Sequence, residues 1–147
     1  MKKNRIFAGL AVVAFATAAF SAPALVTTTA QAAETKASCR GSADGDWSIP
    51  NGSGNSAGTV EWYDYNEHTG DDQDDFRLTD RALDGKSVSL RVKNHATGKE
   101  YYEHVYTGGA TVCMGVGNVP NGDYVYWSAC SWDNGAIVEC RSGTVTE

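Results

Sequence analysis

Short segments in which apolar and polar residues alternate follow one another along most of this chain. The clearest lies between residues 87 and 93, where Val88, Leu90 and Val92 alternate with polar residues. Successive side chains of a strand point to opposite faces, so a period of two residues predicts a half-buried strand. Turn residues such as Asn134-Gly135 separate these segments, and after residue 32 no stretch shows a sustained helical period.

The spacing of these segments predicts an all-β fold. Strands are expected at 59–65, 75–79, 87–93, 101–107, 110–114, 124–130 and 136–141, and an eighth at 143–146. Seven or eight short strands at this spacing are typical of an antiparallel β-sandwich or a small barrel. We predict the β-sandwich, as one domain over residues 59–147.

The first 32 residues have the pattern of an export signal. Three basic residues near the start precede an uncharged apolar run over 6–20, and Ala30-Gln31-Ala32 matches the A-x-A pattern of signal-peptide cleavage. The run is shorter than the ~20 apolar residues that a membrane-spanning helix needs. We therefore expect a secreted, extracellular protein that begins at Ala33 after cleavage.

A flexible N-terminal arm is predicted over residues 33–58. This segment is rich in Gly, Ser, Asn and Asp, a composition that buries too little apolar surface to order itself. Only Trp47 and Ile49 interrupt it. One interpretation makes these two residues the anchor that orders the arm against a partner. The alternative is a loose arm that Cys39 tethers to the domain.

Four cysteines, Cys39, Cys113, Cys130 and Cys140, all follow the export signal. An even number in a small secreted chain predicts two disulfides, and three pairings are open on sequence alone. Cys130 and Cys140 flank a hairpin signal at 133–135. A three-residue turn would place them diagonally on one face, whereas a two-residue turn would place them on opposite faces. By elimination, Cys39 would then pair with Cys113.

The charge of the chain argues against some classes of partner. The formal net charge is −6, and it becomes −9 when the three basic residues of the export signal are removed. Nucleic acids and anionic membranes are bound through Lys and Arg, so we expect neither as a partner.

No catalytic motif is recognisable. His68, His95 and His104 could act as bases, but the cysteines are expected to be oxidised and no serine lies in a G-x-S-x-G setting. We predict a protein without enzymatic activity and without a cofactor. A small secreted hydrolase is the least favoured alternative.

An acidic segment at residues 67–75 is the most conspicuous polar feature. Its composition suits Ca²⁺, and Asp71, Asp72, Asp74 and Asp75 would be the ligands, but the spacing differs from that of an EF-hand loop. We expect a solvated hairpin tip whose like charges discourage edge pairing, and no metal site.

Tyrosines concentrate on one face of several predicted strands. Alternation places Tyr63 and Tyr65 on the face opposite Val60 and Trp62, and it places Tyr124 and Tyr126 opposite Trp127. Exposed tyrosines offer a large contact area at low entropic cost. We therefore predict Tyr63, Tyr65, Tyr124 and Tyr126 as a binding surface. The alternative is that they form cross-strand pairs that only stabilise the sheet.

Three segments carry a resemblance to a known group: the run from Asp75 to Asp80, the run from Leu83 to Val88, and the run from Val125 to Cys130 followed by Cys140. They resemble small secreted β-sandwich proteins of filamentous actinobacteria of the Streptomyces type. The resemblance implies no catalytic residues. It implies an adaptor or accessory subunit of a secreted toxin assembly, or an inhibitor of a secreted enzyme. Another secreted protein is thus the expected partner, and a glycan bound by exposed tyrosines is the alternative.

Overall fold

The computed structural model describes residues 39–65 and 69–147, and the predicted export signal and residues 33–38 lie outside this part of the chain. No helix in the described part is long and apolar enough to cross a membrane. Its eight strands are β1 (Gly45–Pro50), β2 (Ser56–Tyr65), β3 (Asp72–Asp80), β4 (Ser87–Asn94), β5 (Glu100–Val105), β6 (Thr111–Gly115), β7 (Tyr124–Asp133) and β8 (Ala136–Thr146).

The strands form two antiparallel sheets of four strands each. The first sheet has the order β1-β2-β3-β6 and the second has the order β5-β4-β7-β8. The inner faces of both sheets contribute to a single apolar core. This arrangement confirms the predicted all-β sandwich. The two segments predicted at 136–141 and 143–146 are one continuous strand, β8.

The core follows from the alternation seen in the sequence. In the first sheet, Val60 and Trp62 pair with Leu78 and Phe76 across β2 and β3, and all four are buried. In the second sheet, the buried residues alternate in the same way with outward polar ones. They are Val88, Leu90, Val92, Val125, Trp127 and Ala129. Burying one such large apolar side chain stabilises the fold by about 1.5–3 kcal/mol.

The first sheet begins within the segment that was predicted to be a flexible arm, residues 33–58. Residues 45–50 form β1, which pairs with β2 and places Trp47 opposite Val60. Ile49 is buried in the core, and the Trp47 ring lies 4.9 Å from the Trp127 ring of the other sheet. The interpretation of Trp47 and Ile49 as free anchors is therefore wrong. Their two-residue spacing puts both on the inner face of a strand, although the segment as a whole is poor in apolar residues.

Both predicted disulfide pairings are confirmed: Cys39 is bonded to Cys113, with Cα atoms 5.9 Å apart, and Cys130 to Cys140, with Cα atoms 4.1 Å apart. Cys39 is buried against the outer side of β3, where its Sγ lies 3.4 Å from the Phe76 carbonyl oxygen. Two disulfides are consistent with an extracellular protein.

The geometry of the Cys130–Cys140 pair differs from the expected diagonal one. A two-residue turn, Asn134-Gly135, joins β7 to β8, which by itself would place the cysteines on opposite faces. The register shifts between Ser131 and Trp132, so that Val138 has no partner on β7. This β-bulge adds one residue to β8 and brings Cys140 directly opposite Cys130.

Replacing Trp47 or Ile49 with alanine should destabilise the fold. Truncation of a buried Ile to Ala costs about 2–5 kcal/mol, and we expect about 3 kcal/mol for Trp47→Ala because its ring is only half-buried. Ser48→Ala is the matched control, since Ser48 lies between them on β1 with an exposed side chain; it should change stability by less than about 0.5 kcal/mol. Urea unfolding measures the stability of all three variants. If the three variants were equally stable, the inner face of β1 would not be part of the core.

Candidate functional site

The outer face of the second sheet carries two groups of aromatic side chains. We call this surface the aromatic face and define it by the outward residues of β5, β4, β7 and β8 together with the flanking His95 and Tyr106. Three of its tyrosines are strongly exposed: Tyr102 at 57%, Tyr106 at 75% and Tyr126 at 49%. Large exposed rings grouped on one sheet face mark a surface suited to binding.

The first aromatic group is arranged around His104. Its ring stacks on Tyr106 at 4.0 Å and lies 5.4 Å from the Trp132 ring. One ring nitrogen, Nε2, hydrogen-bonds with Ser87 Oγ at 2.8 Å, and the other, Nδ1, with the Tyr102 hydroxyl at 3.1 Å. Both ring nitrogens are thus engaged, and partial burial lowers the pKa of His104. His104 therefore holds the neighbouring rings in place as a neutral imidazole.

The second aromatic group lies at the other end of the same face. The His95 ring stacks on Tyr124 at 4.1 Å, and Tyr124 meets Tyr126 edge-on at 5.0 Å. His95 Nδ1 lies 2.7 Å from an Asp123 carboxylate oxygen that also accepts a hydrogen bond from the Tyr124 amide. These contacts lower the pKa of Asp123. Tyr124 is thus fixed from both sides, while Tyr126 presents one edge to solvent.

Polar and cationic residues separate the two groups. Arg91 and Lys93 project from β4, and both pair with Glu100 of β5. An open, shallow depression of about 540 Å³ lies between Arg91, Lys93 and the Tyr126 ring. Its remaining polar lining comes from Ser128, Ser142 and Thr144. The aromatic face therefore combines exposed rings with hydroxyl and cationic donors.

The four tyrosines predicted as one surface lie on two different sheets. Tyr124 and Tyr126 belong to the aromatic face. Tyr63 is only 1% exposed beneath the Arg77 guanidinium, which lies 5.0 Å from its ring centre, and Tyr65 is exposed at the end of β2. The single surface is therefore a wrong prediction, because alternation assigns side chains to faces but not strands to sheets.

Tyr102, Tyr106, Arg91 and Lys93 are members of the aromatic face that the prediction left out. The sequence does hold a signal for part of this set: Tyr102, His104 and Tyr106 recur at every second residue. Such a repeat places all three on one face of a strand. Their nearness to Tyr126 depends on the strand order β5-β4-β7.

Comparison with known proteins adds no functional information: a scan of family models, a search of curated proteins and a search of solved structures each found no match.

Lowering the pH should loosen the group around His104. Because the folded-state pKa of His104 lies below its unfolded value, the unfolded chain binds more protons, and stability is lost as the pH falls through about 6.5 and below. His104→Gln removes this titration, so its melting temperature should fall less than that of the wild type between pH 7.5 and pH 5. Ser87→Ala keeps the imidazole and should retain the dependence. If the melting temperature fell equally in the wild type and in His104→Gln, His104 would not be a neutral, partly buried imidazole.

Proposed function

We propose that this protein is a secreted, non-enzymatic binding module that recognises another secreted protein through its aromatic face. The observation that carries the proposal is the exposure of Tyr102, Tyr106 and Tyr126 on one side of one sheet. Tyrosine is enriched among the residues that dominate binding energy at protein interfaces, because a rigid ring loses little entropy on contact.

Export is supported by the two disulfides and by the predicted signal over residues 1–32. Disulfides persist in oxidising compartments and are rare in the cytosol. One disulfide joins Cys39 to β6 of the first sheet, and the other joins β7 to β8 of the second sheet. These features agree with a role for the protein outside the cell.

The rings on the aromatic face are held in place before any partner arrives. His104 stacks on Tyr106 and hydrogen-bonds with Tyr102, while Tyr124 braces Tyr126. Preorganised side chains reduce the entropic cost of association. Arg91, which Glu100 orients, adds a donor that can pair with a partner's carboxylate or backbone carbonyl. Ordered rings beside a cationic donor suit contact with a partner protein whose surface is partly apolar and partly polar. An adaptor, an accessory subunit or an enzyme inhibitor would need such a contact surface.

Glycan binding is the second candidate, and one observation favours it. The exposed Tyr126 ring borders the 540 Å³ depression, where the hydroxyls of Ser128, Ser142 and Thr144 could bond to sugar hydroxyls. A tyrosine ring on which a sugar can stack, with hydroxyls beside it, is a reasonable saccharide subsite. The large separate group around His104 would then have no role in binding, which favours the protein partner.

Hydrolysis is less well supported than binding. Ser87 Oγ and His104 Nε2 are close enough for a nucleophile and a base, at 2.8 Å. In a catalytic triad the second ring nitrogen of the histidine would bond to a carboxylate, but in His104 it bonds to the Tyr102 hydroxyl. Ser87 and His104 also lie on an open sheet face beside Tyr106. A tyrosine hydroxyl stabilises an imidazolium less than an ionised carboxylate does.

Tyr102→Ala and Tyr126→Ala should each weaken binding of the natural partner about tenfold or more, the effect of removing a residue that dominates an interface. The partner is first captured from culture supernatant with the wild-type protein and purified, and each affinity is then measured by calorimetry. Tyr65→Ala is the matched control, because Tyr65 is 52% exposed but lies on the first sheet. It should change affinity less than threefold.

Two outcomes would contradict the proposal. If Tyr65→Ala weakens binding as much as Tyr102→Ala does, the aromatic face is not the binding surface. If polysaccharide affinity electrophoresis retards the wild type and Tyr126→Ala abolishes the retardation while no protein is captured, the glycan alternative is correct.

A further inference from the structure

Four carboxylates converge at one end of the sandwich. They belong to Asp64, Asp72, Asp74 and Glu147, and one oxygen of each lies within 4.8 Å of those of the other three. Asp64 comes from β2, and Asp72 and Asp74 from β3, all in the first sheet. Glu147 directly follows β8 of the second sheet. The cluster therefore spans both sheets.

An irregularity in the first sheet brings the three aspartates together. The register between β2 and β3 shifts between Tyr63 and Tyr65, opposite Asp75 and Asp72, so that β3 holds an additional residue at this point. Asp74 lies within this β-bulge and has a φ of +46°. Its backbone carbonyl accepts a hydrogen bond from the Val116 amide. The bulge turns the Asp74 side chain into the space between the sheets.

Glu147 is held in place by backbone hydrogen bonds. Its amide donates to the Asp123 carbonyl, and its carbonyl accepts from the Gly122 amide, at 3.1 Å in both cases. These bonds fix the backbone of Glu147, and its carboxylate lies beside those of the aspartates.

Asp74 is only 3% exposed, and a hydrogen bond from the described part of the chain reaches only one of its two carboxylate oxygens. Its Oδ2 accepts a hydrogen bond from the Val119 amide at 2.7 Å. Its Oδ1 is buried and receives no hydrogen bond from the described part of the chain, and the same holds for Oε2 of Glu147. None of the four carboxylates forms an ion pair with a described Lys or Arg. Buried charges without a partner are costly, so either protons or a bound cation must neutralise these oxygens.

We propose that Asp64, Asp72, Asp74 and Glu147 form a Ca²⁺ site that joins the two sheets. Ca²⁺ takes oxygen ligands at about 2.3–2.6 Å, so oxygens on opposite sides of the ion lie up to about 5 Å apart. The four carboxylate oxygens all lie within 4.8 Å of one another and so fall inside that span. Mg²⁺ dehydrates reluctantly and usually binds through one or two carboxylates and several waters, so four converging carboxylates favour Ca²⁺.

The electrostatics of the four groups agree with a cation between them. Burial is the largest cause that raises the pKa of Asp74 to about 7, against the lowering effect of the Val119 amide, and the neighbouring Asp72 raises it further. Burial and the three aspartates raise the pKa of Glu147 to about 8. A bound divalent cation would relieve this repulsion, and it would stabilise the end of the sandwich.

The site differs from the calcium alternative that the acidic segment suggested. Asp72 and Asp74 belong to both sets. Asp71 is exposed outside the cluster, and Asp75 is directed to the opposite side of β3, where an Asp75 carboxylate oxygen accepts from the Cys39 amide at 3.3 Å. The other two ligands lie outside the acidic segment: Asp64 shortly precedes it on β2, and Glu147 comes from a distant part of the chain.

Calorimetric titration of the chelator-treated, disulfide-bonded protein with Ca²⁺ tests the proposal. We expect one saturable equivalent, and a melting temperature at least ~5 °C higher when Ca²⁺ exceeds its dissociation constant a hundredfold. Asp72→Asn removes an exposed ligand and should weaken Ca²⁺ binding at least tenfold without unfolding the protein. Asp71→Asn is the matched control, with the same change of charge one residue away, and should bind Ca²⁺ as the wild type does.

Three outcomes would overturn the proposal: no saturable binding of Ca²⁺; Mg²⁺ binding as tight as that of Ca²⁺; or an equal loss in Asp71→Asn and Asp72→Asn, which would indicate a diffuse acidic surface. Glu147→Gln supplies the second test. It lies outside the acidic segment, so a tenfold loss of Ca²⁺ affinity in this variant supports a site built from both sheets, and unchanged affinity excludes Glu147 as a ligand.

Discussion

The burial of two apolar sheet faces against each other is the constraint on which the rest of this structure depends. Trp47 of the first sheet meets Trp127 of the second across the core, and Ile49 is buried in the same core. Once these faces are buried, alternation commits the other side chains of each strand to the outside. The aromatic face is thus a consequence of the core, because β5, β4 and β7 must expose their second set of residues.

The outward residues of the two sheets are used differently. On the first sheet, Tyr63 is covered by Arg77, which Glu61 holds by an ion pair, and Cys39 is bonded across this side. On the second sheet the rings remain accessible. The disulfide and the ion pair thus cover part of one outer face, whereas the other outer face keeps three exposed tyrosine rings.

The sequence predicted the features that depend on a two-residue period and missed those that depend on tertiary arrangement. The sandwich and both disulfides were predicted correctly. β1 was missed because its composition suggested an arm, although Trp47 and Ile49 already show the period of a strand. The Asp74 bulge has no recognisable signal in the sequence, and Glu147 approaches the aspartates from more than 70 positions away. The assignment of Tyr63 and Tyr126 to different sheets likewise required the strand order.

Hydroxyl-radical footprinting of the purified complex, read by mass spectrometry, shows whether a protein partner contacts the aromatic face, because aromatic side chains are oxidised in proportion to their exposure. If the partner binds there, Tyr102, Tyr106 and Tyr126 become protected in the complex while Tyr65 is oxidised as in the free protein. Protection of Tyr65 with unchanged oxidation of the other three would contradict this contact.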